Sequence, residues 1–146
     1  LQLKIRKDGK ADFLQWFHFR VAGAADQTLN FVLKNAGECS YPKGWEDYSV
    51  AISYDREIWF RVPAEYKDGK LEFSFQSEQS CFYCAYFAPY SLERHHDLVA
   101  ECLQSPDVSH HYLGSTVQGR DLDLLQVGST PVKPWPNGGW KVFLKD

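Results

Sequence analysis

Apolar and polar residues alternate with period two through most of the first ninety positions, the signature of half-buried β-strands. Leu1, Leu3 and Ile5 fall on one face, with Gln2, Lys4 and Arg6 on the other. Asp8-Gly9 reads as a turn. In the segment 13–21, Phe17, Phe19 and Val21 oppose His18 and Arg20. Leu29, Phe31 and Leu33 then point inward, followed by a long loop from Gly37 to Asp47 carrying Pro42 and Gly44. Tyr48, Val50, Ile52 and Tyr54 alternate with Ser49, Ala51 and Ser53. Ile58, Phe60 and Val62 alternate with Trp59 and Arg61, and Leu71, Phe73 and Phe75 with Glu72 and Ser74. Phe82 to Ala88 closes the series. Seven short strands between turn signals predict two packed antiparallel sheets, a β-sandwich over 1–88.

The pattern changes near Pro89. Ser91 is placed to cap a helix running to about Gln104, with Leu92, His95, Val99, Cys102 and Leu103 near one face. Ser105-Pro106 stops it. His111–Val117 and Leu122–Val127 read as two strands joined at Gln118-Gly119-Arg120. A Pro/Gly-rich stretch, Ser129 to Gly139, precedes one more strand, Trp140–Leu144. That strand needs neighbours to pair its edge and cover Val142 and Phe143, so residues 89–146 read as the incomplete start of a second, α/β domain.

Composition narrows the function classes. The 146 residues have room for one ordinary domain, or a small domain and the start of another. The aromatic fraction of 16% is high and suits a sandwich core. A net charge of -3, mixed along the chain, gives no basic stripe and so no nucleic-acid partner. No apolar run approaches the ~20 residues that cross a bilayer, and no secretory leader pattern is present. The first residue is Leu1, not Met, so an upstream segment is expected to have been removed. Cys39, Cys81, Cys84 and Cys102 are expected to be reduced thiols in a cytoplasmic protein.

Several groups are candidates for chemistry. His95-His96 and His110-His111 could bring imidazoles to a metal, but neighbours on a strand face opposite ways. His95 is expected to pack on the apolar helix face, with His96 and one of His110 and His111 in solvent. Cys81-x-x-Cys84 has the spacing of half a zinc knuckle or a redox pair. It lacks a second pair and lies in a strand, which favours packing. Gly114 to Gly119 has a partial likeness to a phosphate loop, but Arg120-Asp121 stand where Lys and Ser or Thr are required. Ser115 has no nucleophile-elbow context. Trp16, Tyr41, Trp45, Trp59, Tyr83 and Phe87 fall at exposed-looking positions. They form a face buried by a second domain, a platform for stacking on sugars, or single surface aromatics with no shared role.

Four segments, in order, resemble the cytosolic carboxypeptidase family of zinc metallopeptidases. They are Gln15–Val21, Leu29–Ala36, Tyr83–Tyr90 with its Ala85-Tyr86-Phe87-Ala88-Pro89-Tyr90, and Leu113–Leu125 with its Gly119-Arg120 pair. The resemblance implies an amino-terminal β-sandwich beside a peptidase domain that removes carboxy-terminal residues, glutamates among them, from protein tails. It also implies zinc in the full-length parent, held by a His, a Glu three residues later and a distant His, with another Glu as general base. No His-x-x-Glu occurs in this chain. The resemblance therefore carries over no catalytic and no metal residue, leaves the substrate-binding residues unknown, and implies no cofactor in this segment. The partners it implies are a downstream peptidase domain and peptide tails. A dimer through the exposed face is a further expectation. The competing expectation is a stand-alone sandwich that binds a ligand, such as a carbohydrate.

Overall fold

The computed structural model describes residues 1–128, which divide into two compact units, Leu1–Pro89 and a second that begins at Tyr90. The first unit holds eight strands: β1 (Gln2–Leu3), β2 (His18–Ala22), β3 (Thr28–Leu33), β4 (Ser49–Ser53), β5 (Phe60–Pro63), β6 (Glu65–Lys67), β7 (Lys70–Gln76) and β8 (Cys81–Ala85). They form two four-stranded sheets, ordered β1-β3-β7-β6 and β2-β8-β4-β5. All neighbours are antiparallel except β1, which runs parallel to β3.

The core follows from the alternation. Phe31 and Leu33 of β3, Leu71 and Phe73 of β7, Val50 and Ile52 of β4, and Phe82 and Cys84 of β8 are all buried. Phe31 and Phe73 are directly paired across the sheet, with ring centroids 4.7 Å apart. Phe82 from the other sheet meets Phe31 edge-on at 6.2 Å. Each such ring contributes roughly 1.5–3 kcal/mol by burial alone.

Asn35 is a buried polar residue with a clear task. Its Oδ1 accepts from Ile5 N at 2.9 Å and its Nδ2 donates to Ile5 O at 3.0 Å, pinning the segment after β1. Beyond it, Gly37 N donates to Gly69 O at 2.7 Å. A Cβ on Gly37 would sit 2.9 Å from the Gly69 Cα, so only glycine allows that approach.

Four expectations change. Trp45 is not exposed: it is 0% accessible. The long loop folds inward through a 3₁₀ turn, Pro42–Trp45, and the Trp45 Nε1 donates to Ala36 O at 2.9 Å. Ile58 does not face the core. It is 74% accessible, because Asp55–Glu57 form a turn and β5 starts only at Phe60. The strand expected from Phe13 starts at His18, and Phe13 is exposed. An eighth strand, β6, pairs with β7 across an Asp68-Gly69 turn.

In the second unit, α1 (Leu92–Cys102) starts where Ser91 Oγ accepts from Arg94 N at 3.2 Å. No residue of α1 is fully buried; His95, Val99 and Cys102 are half-buried, while Leu92 and Leu103 are exposed. Strands β9 (Val108–Ser115) and β10 (Asp121–Val127) pair antiparallel, with a register shift between Asp121 and Asp123. Gly119 has φ +75° in the connecting turn, and Thr116 N donates to Arg120 O at 2.7 Å. The stretch Ser129–Gly139 and the strand expected at Trp140–Leu144 lie outside the described residues.

Candidate functional site

The polar constellation of the second unit centres on Asp123. Its Oδ2 lies 2.6 Å from His95 Nε2 on α1, and its Oδ1 lies 2.7 Å from His110 Nε2 on β9. Cross-strand geometry explains the second contact. His110 pairs with Leu125, so Asp123 is its diagonal neighbour on the same face. Tyr90 Oη sits 3.4 Å from His95 Nδ1, its ring edge-on to the imidazole. The hydrogen bonds from His95 and then His110 hold the Asp123 carboxyl below its ordinary value. The side chain of Asp123 is only 12% accessible, so each of its oxygens has a partner where water is scarce.

His95 therefore does more than pack on an apolar helix face: it binds a carboxylate. His96 is exposed, and its ring lies 6.1 Å from that of His95. His111, on the opposite strand face, has its Nε2 3.3 Å from Ser109 Oγ. Asp123 escaped the sequence reading. The available signal was a carboxylate placed between Leu122 and Leu124 on a strand bound to pack against a helix.

The other candidates resolve into structure. All four cysteines are free thiols, and Cys81 and Cys84 lie on one strand. Burial pushes the Cys84 thiol up to about 12, the reverse of what a redox or metal-binding cysteine needs. Gly114 and Gly119 belong to the β9–β10 hairpin, with no helix behind the turn. Ser115 Oγ is 2.6 Å from Tyr112 Oη, its side-chain partner among the described residues.

In the first unit the outer face of the β2-β8-β4-β5 sheet gathers Trp16, His18, Trp59 and Tyr83. Ring centroids are 5.8 Å apart for Trp16–His18, 6.2 Å for His18–Trp59 and 6.1 Å for His18–Tyr83. Phe87 joins Trp16 at 6.4 Å. Beneath them Ala51 and Ala85 are buried, although they point away from the core. The turn after β4 aims a cation at this face. Ser53 Oγ and Asp55 Oδ1 accept the backbone N–H groups of Arg56, Glu57 and Ile58 at 2.7–2.9 Å. Arg56, at φ +70°, stands 5.5 Å over the Tyr83 ring. Burial, and then Arg56, lower the His18 pKa. The rings are tilted by 54–61° to one another at Trp16–His18, Trp16–Phe87 and His18–Trp59. Tyr41 is exposed, and Trp45 is in the core.

Residues 1–87 match the sequence model of the cytosolic carboxypeptidase N-terminal domain. The chain belongs to that family. A metallo-carboxypeptidase from Burkholderia cenocepacia superposes with TM-score 0.82 at 40% identity, over 88% of this chain and 34% of its own. One from Pseudomonas aeruginosa, solved with (2-guanidinoethylmercapto)succinic acid, gives TM-score 0.82 at 43% identity, over 90% and 35%. An uncharacterized protein of Zymomonas mobilis is 42% identical over 135 residues, which is 92% of this chain and 36% of the relative. This member of the cytosolic carboxypeptidase N-terminal domain family thus spans about a third of the length of these relatives.

The metal implied by the metallo-carboxypeptidase relatives finds no fitting donor set in the described residues. Among the described residues, no three His, Cys, Asp or Glu side chains are disposed to hold an ion. The Nε2 atoms of His95 and His110 meet separate oxygens of one carboxylate.

Proposed function

We propose that this chain is the amino-terminal region of a cytoplasmic zinc metallocarboxypeptidase that removes carboxy-terminal residues from peptides or protein tails. Residues 1–88 are an accessory domain that packs on the catalytic domain and shapes substrate access; residues 89–146 begin the catalytic domain. The observation that carries this reading is the family match over residues 1–87, joined to solved metallo-carboxypeptidases at 40–43% identity. The tilted aromatic face of Trp16, Trp59, Tyr83 and Phe87 supports it. Contiguous rings at a surface are what a neighbouring domain buries. In a chain without that neighbour the same face is the surface for a dimer. The hydrolytic chemistry, water activated by three-ligand zinc, belongs to the parent's downstream residues.

Phe87→Glu, a change at a side chain 49% accessible, tests the packing. It should lower the Tm of the full-length protein well beyond the change it causes in residues 1–146, where Phe87 loses only its contacts with Trp16 and Tyr86. An equal effect on both, or on neither, would contradict the assigned contact.

A further inference from the structure

A second surface, on the open flank of the sandwich, has a chemistry of its own. A cleft of about 600 Å³ runs between the segment Leu3–Gly9 and the start of β2, with Leu33 and Phe17 at its base. Both sheets end here. Strand β1 closes the order of one and β2 that of the other. Phe17 O accepts from Tyr86 N at 2.9 Å, so Phe17 turns its backbone toward the β8 side. By the two-residue period, the backbone N–H and C=O groups of His18, Arg20 and Ala22 point the other way, to the open side. Among the described residues no strand pairs with that edge.

The facing wall carries three cations, Lys4, Arg6 and Lys7, against one carboxylate, Asp8. Lys4 and Arg6 line the cleft and have no carboxylate partner among the described residues, while Lys7 pairs with Asp12. Arg20 is exposed on the free strand itself. An unpaired strand edge gives backbone hydrogen bonds to any extended chain, and side-chain chemistry selects which chain it is.

We infer that this cleft takes an extended peptide segment bearing carboxylates at alternate positions, added as a further strand on β2 with its acids against Lys4 and Arg6. Side chains two residues apart share one face of a strand, so one row of acids meets the cationic wall while the other row faces away. The added strand would lie about 4.8 Å from β2. The inference stands apart from the peptidase reading, since neither zinc nor a free carboxy terminus takes part in it.

The test uses the 146-residue chain and a fluorescein-labelled, acetylated and amidated hexapeptide of alternating Glu and Val, followed by anisotropy and by backbone amide shifts. Binding should saturate and shift the His18 and Arg20 amides. It should weaken by about tenfold or more with Lys4→Glu/Arg6→Glu. The same peptide N-methylated at alternate residues should lose binding while keeping its charge, which separates strand addition from ionic attraction without altering the protein. Equal binding of a Lys/Val peptide or of the N-methylated peptide would overturn the inference. So would the absence of saturable binding, which would leave the cations as guards of an edge that stays open.

Discussion

His95 Nε2 and Asp123 Oδ2 are 2.6 Å apart, and that contact ties helix α1 to strand β10. With His110 on the other oxygen, one carboxylate holds three elements together.

This gives a pH dependence with a definite sign. The folded pKa of Asp123 is depressed by its two histidine donors. The stabilisation it gives is complete above the unfolded value of about 3.9 and is lost as pH falls through the lower folded value. Hydrogen exchange of the α1 amides should therefore accelerate in acid below the ordinary aspartate range. Asp123→Asn should be less protected at neutral pH and should lack that acid step. An unchanged acid step in the variant would place the titrating group elsewhere.

Trp45 should be among the costliest side chains to truncate. It is fully buried, stacks on Phe17 at 6.3 Å and meets Tyr48 and Tyr86 edge-on at 5.2 and 5.3 Å. Trp45→Ala should cost about 3–5 kcal/mol in urea unfolding. Trp45→Phe keeps a ring but removes one of the two donors to Ala36 O, which keeps the Cys39 N–H at 3.2 Å, so the lost bond should cost only about 0.5–1.5 kcal/mol. A neutral Trp45→Ala would mean that the loop is not part of the core.

The cysteines offer a chemical readout. With its thiol raised to about 12 by burial, Cys84 should resist alkylation at pH 8 in the native protein and react once urea unfolds it. Mass mapping after iodoacetamide treatment separates Cys84 from the half-buried Cys81. Rapid native labelling of Cys84 would contradict the packed sandwich.

The strands that bury one face were legible because the code for them is local. Phe31, Leu33, Leu71 and Phe73 stand two residues apart, and a core lies wherever such rows meet. Ser91 announced the helix start for the same reason: its hydroxyl caps an N–H three residues on. Trp45 was misplaced because a loop has no period, so a ring there carries no sign of which way it turns. Ile58 was misplaced because its alternation with Phe60 runs on into a turn fixed by Asp55. The strand β6 had a usable signal in Asp68-Gly69. With φ of +50° and +73°, these residues make the tight hairpin turn that this dipeptide favours. The parallel direction of β1 has no counterpart in its own residues. The Asp123 clasp joins residues 28 and 13 positions apart, and only the fold brings them together.

The most direct measurement is bound zinc and carboxypeptidase activity on two proteins: residues 1–146, and the same chain extended to the full length of its relatives. One zinc and release of carboxy-terminal residues are expected for the extended protein, and neither for residues 1–146. Stoichiometric zinc or cleavage by residues 1–146 alone would contradict the accessory-domain reading and would turn attention to His95, His110 and Asp123 as ligands.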